Sequence, residues 1–375
     1  MDIFASDDQK LLQEMTRRFL EERSPVGALR KAVETGGAMD RVLWRDGAEL
    51  GWTAIFASEA FGGIAEHGNG VIDASIIAEE MGRVVFAGTL IPVSVASWII
   101  NRDGTSAQKE TIIPRLLSGE ALIAWCFAGT GQLGGLEATG ITAAFDGIEW
   151  SLDGEAVYVE DAEIADYLLV TAKDGTGLSQ FLIPAATAGI TVEALECLDL
   201  GRRLANVQMS GVKVANDTLL GEHSLAAPAF EKQLQIALVL QCSETIGVAT
   251  RALEFTLEWV QQRIAFGRPI GSFQALKHRL ADHATQLEGA KAITAHATRS
   301  VHEDAADAAA ATSVAQSQCG RYAVQLIRDC LQMHGGIGMT WEHDIHLYLR
   351  RVVSNEALWG TPAAHHERLC RLAGL

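Results

Sequence analysis

The chain has 375 residues, 48% of them hydrophobic and 21% charged, enough for two or three packed units with sizeable cores. A net charge of -17 and a pI near 5.1 argue against nucleic acid or an anionic membrane as a partner; an anionic ligand needs locally placed Arg, Lys or helix N-termini. The six cysteines (Cys126, Cys197, Cys242, Cys319, Cys330 and Cys370) form no C-x-x-C pair, so they read as reduced thiols of a cytoplasmic protein and not as zinc ligands.

The opening MDIFASDDQK is acidic and polar, unlike a signal peptide or membrane anchor, and no uncharged apolar run is long enough to span a bilayer. Ser6-Asp7-Asp8 is a capping sequence for a helix through LLQEMTRRFLEE, with apolar residues at Leu11, Leu12, Met15, Phe19 and Leu20, and Pro25 interrupts it. Further helices are expected over VIDASIIAEEMGR, from about Pro92 through SVASWII, and over SAQKETIIPRLLSG. Residues 1–120 therefore read as a helical domain.

After Gly119 the pattern shortens. EALIAWCFAG, GITAAFDGIEWSL, EAVYVED, DYLLVTA, SQFLIPA, GITVEAL and NVQMSGVKV are short apolar or alternating runs separated by turn residues. They predict antiparallel strands in a sandwich or barrel over 121–217. From 218 to 375 the chain returns to helix. Pro228 suits a first helical position, and no proline lies between 270 and 361. Three long segments with apolar residues three and four apart predict an antiparallel helical bundle.

Two motifs carry more than fold. Arg263-Ile-Ala-Phe-Gly-Arg-Pro-Ile-Gly-Ser-Phe-Gln274 resembles the R-x-x-F-G-x-P-I-x-x-F-Q signature of the acyl-CoA dehydrogenase family. Gln332-Met-His-Gly-Gly-Ile-Gly338 resembles that family's Q-x-H-G-G-x-G segment. AEEMGR at 78–83, LLSGEALIA at 116–124 and LDLGRRLANVQMSGVKV at 198–214 extend the resemblance over nearly the whole chain. It implies an α+β fold: an N-terminal α-helical domain, a middle antiparallel β domain and a C-terminal four-helix bundle. It also implies FAD, an acyl-CoA substrate, a homo- or hetero-oligomer (dimer or tetramer) and an electron-transfer protein as acceptor. The glycines independently suit close approach of backbone N–H groups to phosphate, and Arg263 offers a cationic fork. Carried over position by position, Arg263, Phe273, Gln274, Gln332, Gly335, Gly336 and Thr361 are FAD-contact candidates, with Tyr158 an aromatic neighbour of the flavin.

The implied reaction is α,β-dehydrogenation, in which a Glu carboxylate removes the α-proton while hydride passes to the flavin. Counting on from Gly335 puts Leu358-Trp359-Gly360-Thr361 on the family's Y-E-G-T, so Trp359 stands where many members carry the base. The alternative family position falls near Ala237. Glu244 and Glu356 are the carboxylates left as substitutes, Glu244 as a buried paired group and Glu356 as a surface or partner-facing one. The T-E-P-x-x-G-S-D motif aligns with Cys126 to Gly135 and loses its hydroxyls, and Tyr158-Val159-Glu160 replaces W-I-T or W-I-S. His343 and His346 have i, i+3 spacing but lack further metal ligands, and no metal is expected. The Trp341-Glu342-His343-Asp344 segment resembles dehydrogenases of bacterial steroid and other bulky acyl-CoA catabolism, where unlike subunits pair. Two readings follow: a dehydrogenase, of one kind of subunit or of paired unlike subunits, or a non-catalytic acyl-CoA-binding or structural subunit on the same fold.

Overall fold

The computed structural model describes residues 6–34, 39–129, 139–175 and 177–375. Six helices come first: α1 (Asp7–Arg23), α2 (Val26–Glu34), α3 (Arg41–Glu49), α4 (Val71–Arg83), α5 (Leu90–Asp103) and α6 (Ser106–Leu117). Ser6 closes a capping box with Gln9 at the start of α1, and Thr105 closes one with Gln108 at the start of α6. The short α2 and α3 are additions to the helices expected from sequence.

The middle region carries β1 (Ile123–Cys126), β2 (Ile141–Phe145), β3 (Glu149–Glu160), β4 (Tyr167–Asp174), β5 (Gly177–Pro184), β6 (Ile190–Ala194), β7 (Leu204–Ala215) and β8 (Leu219–Leu220). The sheet order is β6-β7-β3-β2-β4-β5-β8, with β1 also on β4. The expectation of a purely antiparallel domain is corrected here: β1 and β2 both run parallel to β4, and the sheet is mixed. They share one edge of β4, β1 along Tyr167 to Val170 and β2 at Lys173. Alternation in a sequence tells which face a residue takes, but not the direction of the neighbouring strand.

The chain then forms α7 (Ala227–Gln262), a small hairpin of β9 (Ile264–Ala265) and β10 (Arg268–Pro269), α8 (Gln274–His302), α9 (Ala308–His334), α10 (Ile345–Ala357) and α11 (Pro362–Leu372). α9 packs against α7, α8, α10 and α11. Among the described residues α7 alone is long and apolar enough to cross a bilayer, and 89% of its apolar stretch is buried in the protein. At 36 residues it is about 54 Å long and forms the axis to which the rest attaches.

The α4–α7 crossing is unusually close. A Cβ on Gly82 would lie 2.0 Å from the Glu244 carbonyl oxygen, and one on Gly247 would lie 1.8 Å from that of Glu79. Both opposing atoms are backbone, so neither can yield by a rotamer change. Gly247→Ala should therefore destabilise the protein by about 1–3 kcal/mol or more, read as a lowered midpoint of urea unfolding. An unchanged midpoint would mean that α4 and α7 do not meet at this separation.

Candidate functional site

The end of β3 is irregular. Its register with β7 shifts between Ala156 and Val159, and Tyr158 adopts a left-handed φ of 55°. The turn between α10 and α11 is equally unusual, with Trp359 at φ 59° and Gly360 at 113°. Left-handed backbone is costly for bulky side chains. Both strained residues line one slot, with Trp125, Phe127, Ala128, Val157 and Leu358. Its floor is an aromatic cluster: Trp125 lies 4.2 Å from Phe127, 5.7 Å from Phe230 and 6.4 Å from Trp359, centroid to centroid.

The slot has one unspent polar group. The Trp125 indole Nε1 is buried and has no hydrogen-bond partner. A planar ring bearing carbonyl acceptors, such as a flavin, fits both the aromatic walls and that orphaned donor. Thr361 sits beyond Trp359 as the N-cap of α11, its hydroxyl accepting from the Ala364 N–H. The part of the T-E-P-x-x-G-S-D alignment from 130 to 135 lies outside the described residues.

The remaining FAD candidates gather elsewhere. Arg263 ends α7 with its guanidinium over Trp259, 5.8 Å from the ring centroid. The Trp259 indole donates to the Met333 carbonyl at 3.1 Å and stacks on His334 at 5.3 Å, which sets the end of α9 beside the end of α7. Gln332, Gly335 and Gly336 are exposed there, as is Gln274, with Phe273 half-buried under Arg268. Gly335 has φ 67°, and a Cβ on it or on Gly336 would meet nothing within 4 Å. This cationic, glycine-rich surface is open to a phosphate.

The two groups are far apart. Phe230, which touches the slot's aromatic floor, and Arg263 lie at opposite ends of α7. Phe230 is 33 residues, about 50 Å, from Arg263, and Gln241, which donates to the Leu358 carbonyl at the slot, is 22 residues, about 33 Å, from it. Tyr158, Trp359 and Thr361 therefore cannot meet the same dinucleotide as Arg263, Gln332 and Gly335 within one chain.

Next to the slot lies a buried charge network that sequence reasoning saw only in part. Glu244 comes from α7, Arg351 and Asn355 from α10, Asp199 and Arg202 from the β6–β7 connection, and Glu160 from the end of β3. Arg202 pairs with Glu160 Oε1 and donates to Glu244 Oε2 at 2.6 Å and Asn355 Oδ1 at 2.8 Å. Arg351 donates to Glu244 Oε1 at 2.5 Å, to the Phe86 carbonyl at 3.1 Å and to Asp199. Asn355 Nδ2 reaches Glu244 Oε2 at 3.0 Å. Glu244 is thus the buried, paired carboxylate, with both oxygens engaged. Ala237, the other base position, is fully buried. Glu356 is half-buried, its Cα 3.3 Å from where a Cβ on Gly320 of α9 would stand. His343 accepts from the Ile345 N–H at 3.2 Å, and His346 stacks on Trp341 at 5.2 Å. Arg202, Arg351, Asn355 and Trp125 were not singled out from sequence. The adjacent pair Arg202-Arg203 in an otherwise apolar stretch was the available signal.

The two acids on Arg202 titrate in opposite senses. Burial raises Glu160, whose pKa is pushed up to about 7 despite Arg202, with Asp161 and Glu244 adding repulsion. Burial acts on Glu244 too, but Arg202, Arg351 and the Asn355 amide outweigh it and its pKa is lowered. For Glu160, the stabilising contribution is complete below its ordinary 4.5 and is lost as pH rises through about 7. For Glu244 the contribution is present above the ordinary value and is lost as pH falls. Glu160→Gln should therefore gain on the wild type as pH rises from about 5 to 7.5, by up to about 3 kcal/mol. Parallel pH–stability curves from denaturant titration would refute the raised pKa.

The sequence matches the acyl-CoA dehydrogenase N-terminal domain over residues 6–120 and the acyl-CoA dehydrogenase C-terminal domain over 228–372. It is 29% identical to acyl-CoA dehydrogenase IpdE2 of Mycolicibacterium smegmatis, over 97% of this chain and 98% of that protein. A solved variant of the Tcur3481-Tcur3483 steroid ACAD superposes with a TM-score of 0.88 at 28% identity, covering 98% of each chain. Butyryl-CoA dehydrogenase from Megasphaera elsdenii shares the fold, with a TM-score of 0.90 at 23% identity over 100% of each chain. With the two domain matches spanning most of its length, the chain belongs to the acyl-CoA dehydrogenase family of flavoproteins.

Proposed function

We propose that this chain works as one subunit of an oligomeric acyl-CoA dehydrogenase, and that its two groups of FAD-contact residues serve different FAD molecules. The observation that carries this reading is the separation along α7 between the aromatic slot and the Arg263 surface, about 33 Å from Gln241 and about 50 Å from Phe230. Each set becomes useful only when a second chain brings its complement. Arg263, Gln332, Gly335 and Gly336 then hold the phosphates of an FAD seated mainly on the neighbour. Tyr158, Trp125 and the backbone at Trp359 border the ring of an FAD whose phosphates the neighbour grips.

When bound, FAD accepts the β-hydride of the acyl-CoA. This chain's slot supplies flat apolar walls that exclude water and an indole N–H that orients a carbonyl acceptor. The α-proton needs a carboxylate, and neither Trp359 nor Ala237 is one. Glu244 is held by two guanidiniums and an amide, which strips it of basicity. An unlike partner that carries the acid accounts for both the retained phosphate-side residues and the absent base. The paired names Tcur3481-Tcur3483 of the solved steroid ACAD support that arrangement. A separate electron-transfer protein then takes the electrons from the reduced flavin. A non-catalytic subunit is the second reading, favoured by Trp359 at the base position.

The test is the visible spectrum of the chain purified alone and with a co-expressed family partner, before and after a panel of CoA thioesters. The proposal expects flavin, bleached by one of the thioesters, only in the co-purified complex. Full flavin and bleaching in the lone chain would overturn the paired-subunit reading, and a complex that never bleaches would favour the non-catalytic one. In the complex, Arg263→Ala should weaken FAD retention by at least about tenfold, the scale of one charge-assisted contact. Because Arg263 is exposed, the unfolding temperature of the apo chain should not move. Unchanged flavin content after extensive dialysis would remove Arg263 from the site.

A further inference from the structure

A second cavity adjoins the slot at the end of β3. Its volume is about 20 Å³, room for one water-sized group. One wall is apolar, made by Ala78 and Met81 of α4, Phe86 and Gly88 of the α4–α5 turn, and Leu90 and Ile91 of α5; the other is Glu160, Arg202 and Glu244. The two cavities are near neighbours. Tyr158 borders one and Glu160 the other, while Gln241, one helical turn before Glu244, donates to the carbonyls of Asn355 and Leu358.

The charged wall is not self-satisfied. Glu160 Oε1 is paired with Arg202, but Glu160 Oε2 is buried without a hydrogen-bond partner, and so is Arg202 Nε. A buried unpaired carboxylate oxygen is costly, and such groups are rare unless something occupies them. The chemistry of the occupant is constrained. Two guanidiniums (Arg202, Arg351) face three carboxylates (Glu160, Glu244, Asp199), so an anion is repelled. An ammonium would place three N–H donors against one free oxygen and six apolar-wall residues, leaving donors unpaired. Above about pH 7, where Glu160 is ionised, a carbonyl or ether accepts only and leaves Oε2 unsatisfied. A hydroxyl supplies the one donor that Oε2 lacks, while Arg202 Nε already lies 3.7 Å from Asp199 Oδ2.

We propose that this cavity seats a hydroxyl carried on an otherwise apolar part of the acyl group, donating to Glu160 Oε2, so that the protein prefers hydroxyacyl-CoA thioesters. The inference rests on the acyl-CoA reading above and specifies its substrate class. A site built to bond a hydroxyl discriminates against the analogue that lacks it, because the buried oxygen is then left unpaired. Glu160 is here a specificity residue and has no part in bond making.

The experiment uses the purified oligomer and CoA thioesters of one carbon skeleton, unsubstituted or with a hydroxyl at successive carbons, with affinity read from spectral titration or calorimetry. One hydroxylated isomer should bind at least about tenfold more tightly than the unsubstituted thioester. Glu160→Met, nearly isosteric and without the acceptor, should bring that isomer to parity with the unsubstituted thioester in the same variant. If Glu160→Met fails to fold, Ala78→Leu, which fills the cavity from its apolar wall, should selectively weaken the same isomer. Equal affinity for all isomers in the wild type would mean that the cavity holds water only; the inference then falls while the dehydrogenase reading stands. Failure of every thioester to bind would overturn both.

Discussion

The buried pairing of Glu244 with Arg202 and Arg351 is the contact on which the site depends. It draws one charge from α7, one from α10 and one from the β6–β7 connection, and Arg351 also takes the Phe86 carbonyl beyond α4. All three domains meet at one point. Such a network is a poor source of net stability, since desolvation offsets most of the Coulomb gain. Removing one member is another matter, because it strands a buried charge at about 3–5 kcal/mol. The network therefore fixes geometry: α10 cannot rotate on α7 without breaking it, and α10 is the helix that delivers Leu358 and Trp359 to the slot.

That role bears on the absent base. A catalytic base needs a free lone pair and a proton affinity suited to the working pH. Glu244 has neither. The Gly82 and Gly247 contacts press α4 onto α7 around Glu244, so the side chain has one direction in which to point. Carboxylates within reach of the slot have thus been committed to structure, and among the described residues Glu160 and Asp161 each keep one buried oxygen without a hydrogen bond. The division of labour is consistent with a chain that contributes surfaces and orientation while another chain contributes the acid.

Much of the fold was legible in the sequence because it depends on local signals. Ser6 and Thr105 announce their helices by capping chemistry, and α7 by the absence of breakers over its length. The expected antiparallel middle domain failed at β1 and β2, because strand direction follows from how the chain is routed between sheets and helices and leaves no mark in alternation. α2 and α3, of nine residues each, are too short for periodicity to single out. At the site, motif counting singled out Trp359, Tyr158, Arg263 and Gln332 and showed the lost carboxylate. It did not find the network. Arg202 and Glu160 are 42 residues apart, and Arg351 and Glu244 are 107 apart. No spacing rule joins them, and only the tertiary fold does. Trp125 was invisible for a different reason, since in a four-residue buried strand it reads as core.

Tyr158 and Trp359 bear most directly on whether the slot is a functional site or a remnant. Each is an aromatic residue in left-handed backbone, a state costing on the order of 1–3 kcal/mol that persists only where surroundings over-determine it. They arrive from unrelated elements, a bulged strand end and a helix–helix turn, yet line the same cavity. Their anchors are visible. The Trp359 carbonyl is bonded to buried His365, the Leu358 carbonyl accepts from Gln241, and the β3 end is held by the Arg203–Asp161 pair. The Trp125 indole adds a buried, unpaired donor to the same lining. Two independent costs thus converge on one aromatic slot, which is where the paired-subunit proposal seats the flavin ring.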